Sequence, residues 1–249
     1  YGLVGSEMCI RDSDWTKVAD AGIEFAMIRV GYRGYSQGAL QMDERFRENM
    51  DGALAAGLDV GVYFFSQATS VLEAEEEADF VLSAVRGYPI KYPVAFDWEF
   101  IDGAEARTDG MDGDTVTQCA AAFCELVSVA GYTPMVYFNQ ELGYRFYQLD
   151  QLDASQFWLA EYDTKPDFFY DFEMWQYTSS GRVAGISGDV DLNLRFFRDG
   201  SKDDLTEVWK DPDGREDPQE EIQEVPQEEQ EDSGKDSQEG QQPSQDIPQ

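Results

Sequence analysis

The sequence predicts an α/β fold, an irregular, TIM-like (β/α) barrel, on three observations. First, an Ala-Gly dipeptide closes a helix-like segment and opens a strand-like one three times, at Ala21-Gly22, Ala56-Gly57 and Ala130-Gly131. Second, the runs that follow are almost continuously apolar, which suits strands of a parallel sheet covered on both faces. Third, after Phe138 the pattern changes to short strands with little helix between them. Alternating β and α with right-handed crossovers means a parallel sheet. So many units within residues 14–199 suit a closed barrel, and no Gly-rich phosphate loop follows any strand to favour an open, doubly wound sheet.

Each element has its own local reason. Glycine just past a helix end takes the left-handed conformation without steric cost, so the Ala-Gly pairs mark helix stops. Phe25-Ala26-Met27-Ile28-Arg29-Val30 is the first apolar run. Residues 43–56 then place Phe46, Met50, Ala53 and Leu54 on one side of a helix. Val60-Gly61-Val62-Tyr63-Phe64-Phe65 is the second strand. In residues 70–85 the apolar positions 71, 74, 78, 81, 82 and 85 form one helical stripe, opened by a capping-box pattern at Ser70 and Glu73. Pro93-Val94-Ala95-Phe96-Asp97-Trp98-Glu99-Phe100 reads as a strand ending in acids. Residues 115–130 are helical, with Val116, Cys119, Ala120, Phe123, Leu126 and Val127 inward, and Pro134-Met135-Val136-Tyr137-Phe138 is the next strand. Residues 157–162, 172–177 and 190–194 supply the late strands.

Composition narrows the chemistry. The 249 residues hold 51 Asp and Glu against 18 Lys and Arg, with no histidine. Zero histidine removes Ser-His-Asp triads, Cys-His dyads and HExxH metal sites. A formal charge of −33 argues against nucleic acid and anionic membrane surfaces, whose binding relies on basic side chains. No run of 18 apolar residues exists, so no membrane span is expected. Of the three cysteines, Cys119 and Cys124 fall on different sides of one helix and read as small buried hydrophobes; Cys9 lies in a segment set apart below. Residues 200–249 carry 17 acidic and 4 basic residues, nine Gln and a single aromatic, Trp209, and are expected to be a disordered acidic tail or linker. The ending in Pro248-Gln249 reads as a stop inside that linker.

Asp97 and Glu99 are the sharpest chemical feature. Two residues apart on a strand, they share a face, and they stand at its C-terminal end, where parallel barrels carry their active sites. Two like charges in a partly dry site push their pKa values apart, leaving one protonated and the other anionic, the division of labour that glycosidic cleavage uses. A solvated strand end or a cation site is the plain alternative. Asp189 and Asp191 share a second face late in the chain; they read as catalytic, as metal-binding or as a capped turn. Tyr63, Phe65, Tyr137, Trp158, Tyr162, Trp175 and Tyr177 lie near predicted strand ends, where flat rings stack on sugars, and Gln176 is placed to orient one; core packing is the plain reading of such aromatics.

Five segments in register resemble the glycoside hydrolase family 25 lysozymes: Gly61-Val62-Tyr63-Phe64-Phe65-Ser66-Gln67-Ala68-Thr69-Ser70, Val94-Ala95-Phe96-Asp97-Trp98-Glu99, Phe157-Trp158-Leu159-Ala160-Glu161-Tyr162, Trp175-Gln176-Tyr177-Thr178-Ser179-Ser180-Gly181 and Gly185-Ile186-Ser187-Gly188-Asp189-Val190-Asp191-Leu192-Asn193. The likeness runs over residues 14–197. It implies about five βα units followed by β strands only, and hydrolysis of the β-1,4 bond between N-acetylmuramic acid and N-acetylglucosamine in peptidoglycan, without a metal or other cofactor. It implies Glu99 as general acid, Asp97 as the residue that orients the substrate's reacting group, and Asp191 in the same site. Tyr63, Phe65, Tyr137, Trp158 and Gln176 are the expected sugar-binding residues. A monomer acting outside the cell or at the cell wall is expected, with peptidoglycan glycan strands as partner.

One departure stands at the start. The family's first strand carries an aspartate that should fall near position 5, where Gly5 stands. Asp12 is too close to Asp14-Trp15 to replace it. Residues 1–13 are therefore expected to be foreign to the domain, leaving two exposed sheet edges or a substitute strand at residues 3–5. The loss makes a non-catalytic peptidoglycan-binding barrel the alternative function; a metal-dependent phosphoesterase is a third. Glu99 is expected to be protonated at rest, with Asp97 assisting the 2-acetamido oxygen in a retaining reaction. Direct water attack with inversion stays open, because same-face strand neighbours about 6.5–7 Å apart along the backbone leave their carboxyl tips free to converge or splay.

Overall fold

Phe25, Met27 and Arg29 alternate with Ala26, Ile28 and Val30 across one strand, and this period of two organises the whole molecule. The computed structural model describes residues 2–4, 13–101, 103–152, 155–162 and 165–197. Strand β1 (Gly2–Val4) comes first, then helix α1 (Trp15–Asp20), β2 (Phe25–Arg33), β3 (Leu40–Met42), α2 (Phe46–Ala55), β4 (Asp59–Ser66), α3 (Val71–Val85) and β5 (Val94–Trp98). Helix α4 (Gly113–Val129), β6 (Pro134–Asn139), α5 (Gln140–Arg145), a 3₁₀ turn at Leu149–Gln151, β7 (Gln156–Ala160), β8 (Met174–Gly181) and β9 (Val190–Arg195) complete the order. The expected tail at 200–249, Gly5 and Cys9 lie outside the described residues.

The result is a mixed α/β fold with one curled sheet. Its strand order is β1-β9-β8-β7-β6-β5-β4-β2-β3, and β1 also pairs with β2. Strands β2, β4, β5, β6, β7 and β8 are successively parallel, β9 is antiparallel to β8, and β3 is antiparallel to β2. Gly2, Leu3 and Val4 pair with Phe25, Ala26 and Met27 on one side and with Asn193, Leu192 and Asp191 on the other. Of the two outcomes expected for the start of the chain, the structure has the substitute strand, displaced by one residue from 3–5.

Two apolar layers follow from the alternation. One face of the sheet packs on the helices: Val62, Phe64, Phe96 and Val136 meet Ala74, Ala78 and Val81 of α3 and Cys119, Ala120 and Phe123 of α4. The other face forms a separate cluster from positions 25, 27, 63, 95, 135, 137, 158, 160 and 174. Cys119 and Cys124 are buried and free, as the sequence suggests.

Gly22, Gly57 and Gly131 have φ of 89°, 86° and 87°, so each Ala-Gly pair does end a helix in the left-handed region. Two local expectations need correction. Helix α2 starts at Phe46 rather than at 43, because the Asp43 carboxylate is already engaged by Arg29 and by the Arg45 amide. Ser70 caps α3 by accepting from the Glu73 amide at 3.4 Å, but the Glu73 carboxylate reaches the amide and hydroxyl of Thr69, one residue short of the reciprocal capping-box contact.

Candidate active site

Strand β5 delivers its acids where the sheet stops supporting the backbone. The last register pairs on β5 are Ser66 with Trp98 and Asp97 with Tyr137. Asp97 is therefore inside the strand and is 5% exposed, whereas Glu99 lies one residue beyond it and is half-buried. The sequence expectation of two acids on one strand holds for Asp97 alone. Asp97 follows Ala95 on the inward-facing positions, so its carboxyl points into the curl of the sheet.

The electrostatics are those of a coupled pair. Burial, then the charge of Glu99 and a hydrogen bond with its side chain, hold the Asp97 carboxyl well above the ordinary aspartate range. Arg29 pulls the other way and Asp191 adds to the rise. No donor reaches Asp97 Oδ1. Two carboxyl groups hydrogen-bond only when one of them carries a proton. Asp191, on β9, is partly buried and is pushed up to about 6 by desolvation and then by Glu99. Asp97, Glu99 and Asp191 thus sit within one electrostatic neighbourhood.

The aromatic residues divide into rim and floor. Phe65 stands beside Asp97 in register and is partly exposed. Tyr63 and Tyr137 are 7% and 8% exposed, and burial, first of all, raises both phenols, keeping them neutral donors. Gln176 Oε1 accepts from the Tyr137 hydroxyl at 3.1 Å and also from Tyr162, which is 40% exposed. Trp158 is corrected: at 1% exposure it is no stacking surface. It lies edge-on to Tyr63 and Tyr137, with ring centroids 6.2 and 4.9 Å away, and its Nε1 donates to Asn193 Oδ1 at 2.9 Å. Trp175 is also buried, its Nε1 donating to the Glu161 carbonyl. Asp189 is in the turn before β9, where an exposed ion pair with Arg182 at 2.7 Å occupies it. Among the described residues, no three His, Cys, Asp or Glu side chains are grouped to hold a metal ion.

Arg29 and Tyr162 complete the surroundings of the acids. Arg29 donates to Asp43 Oδ2 through Nε and Nη2, at 2.8 and 2.6 Å, while its charge acts on Asp97 and Tyr63. Its signal in the sequence is parity: it shares the inward face with Phe25 and Met27, so a cation in that apolar run has to be partnered inside. Tyr162 is one of the aromatics that the sequence places near strand ends for stacking on a sugar, outside the five expected sugar-binding residues.

A carboxyl pair at the C-terminal end of a parallel strand, rimmed by aromatic rings, is an arrangement suited to a carboxylate-dependent glycoside hydrolase. The chain belongs to the glycosyl hydrolases family 25, whose family model matches residues 10–186. It is similar to the autolytic lysozyme of Clostridium acetobutylicum, 26% identical over 185 residues that span 72% of this chain and 51% of that protein. Among solved structures it is similar to the bacterial lysozyme from Streptomyces coelicolor, with a TM-score of 0.65, 25% identity and coverage of 78% of this chain and 90% of that one. It is also similar to the modular autolysin LytC from Streptococcus pneumoniae in complex with a synthetic peptidoglycan ligand, with a TM-score of 0.64, 27% identity and coverage of 78% and 46%. The chain thus spans about half the length of the clostridial and pneumococcal relatives.

Proposed function

We propose that this chain is a peptidoglycan hydrolase that cleaves the β-1,4 bond between N-acetylmuramic acid and N-acetylglucosamine, with Glu99 as general acid. The observation that carries this reading is the coupled carboxyl pair: Asp97 buried and held above the ordinary aspartate range, Glu99 half-buried against it. The relatives, a lysozyme and an autolysin bound to a peptidoglycan ligand, support the substrate class.

In the free enzyme the proton rests on Asp97. A sugar ring seated over Glu99 removes its water and raises its proton affinity, so the proton crosses the hydrogen bond to Glu99. Glu99 gives it to the glycosidic oxygen, and the bond from that oxygen to the muramic acid anomeric carbon breaks. Asp97, now anionic, accepts from the 2-acetamido N–H, and the acetamido oxygen bonds to the anomeric carbon. Water then attacks that carbon from the opposite face, the carbon's bond to the acetamido oxygen breaks, and Glu99 takes a proton from the water, giving net retention. Asp191 lines the site and adds to the field that keeps the pair protonated. Tyr63, Phe65, Tyr137 and Gln176 orient the sugar.

We read the ring of strand pairings as an irregular TIM-like barrel with β1 as its closing strand, and the protein as a monomer that acts outside the cell or at the wall. A second reading, a barrel that binds peptidoglycan without cutting it, is favoured by one observation: Gly2, Leu3 and Val4, next to Asp191 in the sheet, bring no carboxylate to the site. The test is clearing of purified cell walls, with mass spectrometry of the released fragments. The wild-type chain should release fragments ending in N-acetylmuramic acid, and Glu99→Gln should lower the rate about 10²–10⁴-fold with an unchanged melting temperature. Full activity in Glu99→Gln would remove Glu99 from its role; retention of the chain on walls without clearing would establish the binding reading instead. NMR of the first anomer formed separates retention from inversion.

A further inference from the structure

We infer that Gln67 and Thr108 are positioning residues for the general acid: the buried Gln67 amide holds the backbone carbonyl of Glu99, and the Thr108 hydroxyl holds that amide. The inference rests on the proposed role of Glu99. Glu99 lies one residue past β5, which ends at Trp98. Gln67 Nε2 donates to the Glu99 carbonyl at 3.0 Å, and also to the Ser66 carbonyl at 3.0 Å. Gln67 Oε1 accepts from Thr108 Oγ1 at 2.8 Å. Gln67 is 0% and Thr108 1% exposed, although the flanking residues 103–107 and 109–110 are partly or fully exposed.

The buried Gln67 amide has one orientation, because turning it over would set its Oε1 against the Ser66 and Glu99 carbonyls. The two carbonyls select the orientation in which Nε2 faces Glu99, and the Thr108 hydroxyl, donating to Oε1, holds the amide there. Next to Thr108, Arg107 is separately tied down: it donates to Glu73 Oε1 and Oε2 at 2.6 and 3.0 Å and to the Gln67 carbonyl at 3.0 Å. The segment thus has an anchor of its own at Arg107. The specific work left to the Gln67–Thr108 bond is to set where Glu99 begins, and hence how closely its carboxyl approaches Asp97. Near-attack geometry in such sites tolerates displacements well under 1 Å.

Thr108→Val keeps the shape and deletes the hydroxyl; Thr108→Ser keeps the hydroxyl. On cell walls, Thr108→Val should lower kcat about tenfold with KM changed less than twofold, and Thr108→Ser should restore it. Independently of any turnover, ¹³C NMR titration should show the Asp97 carboxyl falling toward the ordinary aspartate range in Thr108→Val, because Glu99 has drawn away; Thr108→Ser should keep the wild-type titration. Gln67→Met, which fills the same space without hydrogen bonds, should reproduce the titration change if Thr108→Val does not fold. A folded Thr108→Val or Gln67→Met with the wild-type Asp97 titration would overturn the inference and leave the pair a staple of the loop. A wild-type chain that fails to clear walls would remove the hydrolase reading, while the Asp97 titration would still decide this one.

Discussion

Trp158 illustrates how burial changes what an aromatic residue does. Its ring lies under Tyr63 and Tyr137, and its one donor is spent on Asn193, which is itself fully buried. A ring so enclosed supports the rim and touches no ligand. Trp158→Phe would shrink the floor and leave Asn193 Oδ1 without its indole donor, two effects that together cost roughly 2–4 kcal/mol. For a domain of this size that corresponds to a melting temperature lower by about 5–12 °C, with KM on cell walls unchanged. A raised KM at unchanged stability would return Trp158 to the sugar-contacting set. The same logic separates Phe65, partly exposed beside Asp97, from the enclosed Trp158: at Phe65 loss of the side chain removes a surface that a sugar can reach.

At the level of elements, α3 is joined to β2 by a buried ion pair. Glu77 and Arg33 are 0% and 4% exposed, with Arg33 Nε donating to Glu77 Oε1 at 2.7 Å and Glu77 Oε2 left without a partner. Desolvation outweighs Arg33 and a hydrogen bond from Ser66, raising Glu77 from 4.5 to about 7. A carboxyl raised on folding favours its protonated form in the native state. Its contribution is whole below pH about 4.5 and is lost as the pH climbs through about 7. Urea melts should therefore find the wild type less stable at pH 8 than at pH 5, and Glu77→Gln should narrow that gap by on the order of 2 kcal/mol; an unchanged gap would mean that Glu77 is ionised throughout. This element was only half legible in the sequence. The stripe from 71 to 85 and the Ala-Gly stops are local signals and give the long helices and parallel strands to within a few residues. Short elements such as α1, β3 and α5 carry too few turns or alternations to register. Asp97 and Glu99 are legible because they stand two residues apart at the end of an apolar run. Gln67 and Thr108 are not, because their partners lie 32 and 41 residues away and only folding brings them together.

For the molecule as a whole, the decisive contact is the one that joins the ends of the sheet. Strand β1 has three residues, yet it pairs with β2 and with β9, so neither strand offers a bare edge over the stretch it covers. Val4 stands opposite Asp191, which couples this closure to the acid cluster. Because β1 has a neighbour on both sides, the Leu3 amide points into the ladder whichever way it faces. Leu3→Pro would delete that donor and restrict the backbone, costing roughly 2–3 kcal/mol. Amide exchange should then accelerate at residues 25–27 on β2 and at 191–193 on β9 together, with Asp191 titrating closer to an ordinary aspartate as water gains access. Exchange confined to β1 itself, with both neighbours still protected, would show that the sheet keeps its form without this strand. The joint response is the sharper expectation, since a ring of pairings broken at one place frees two edges at once.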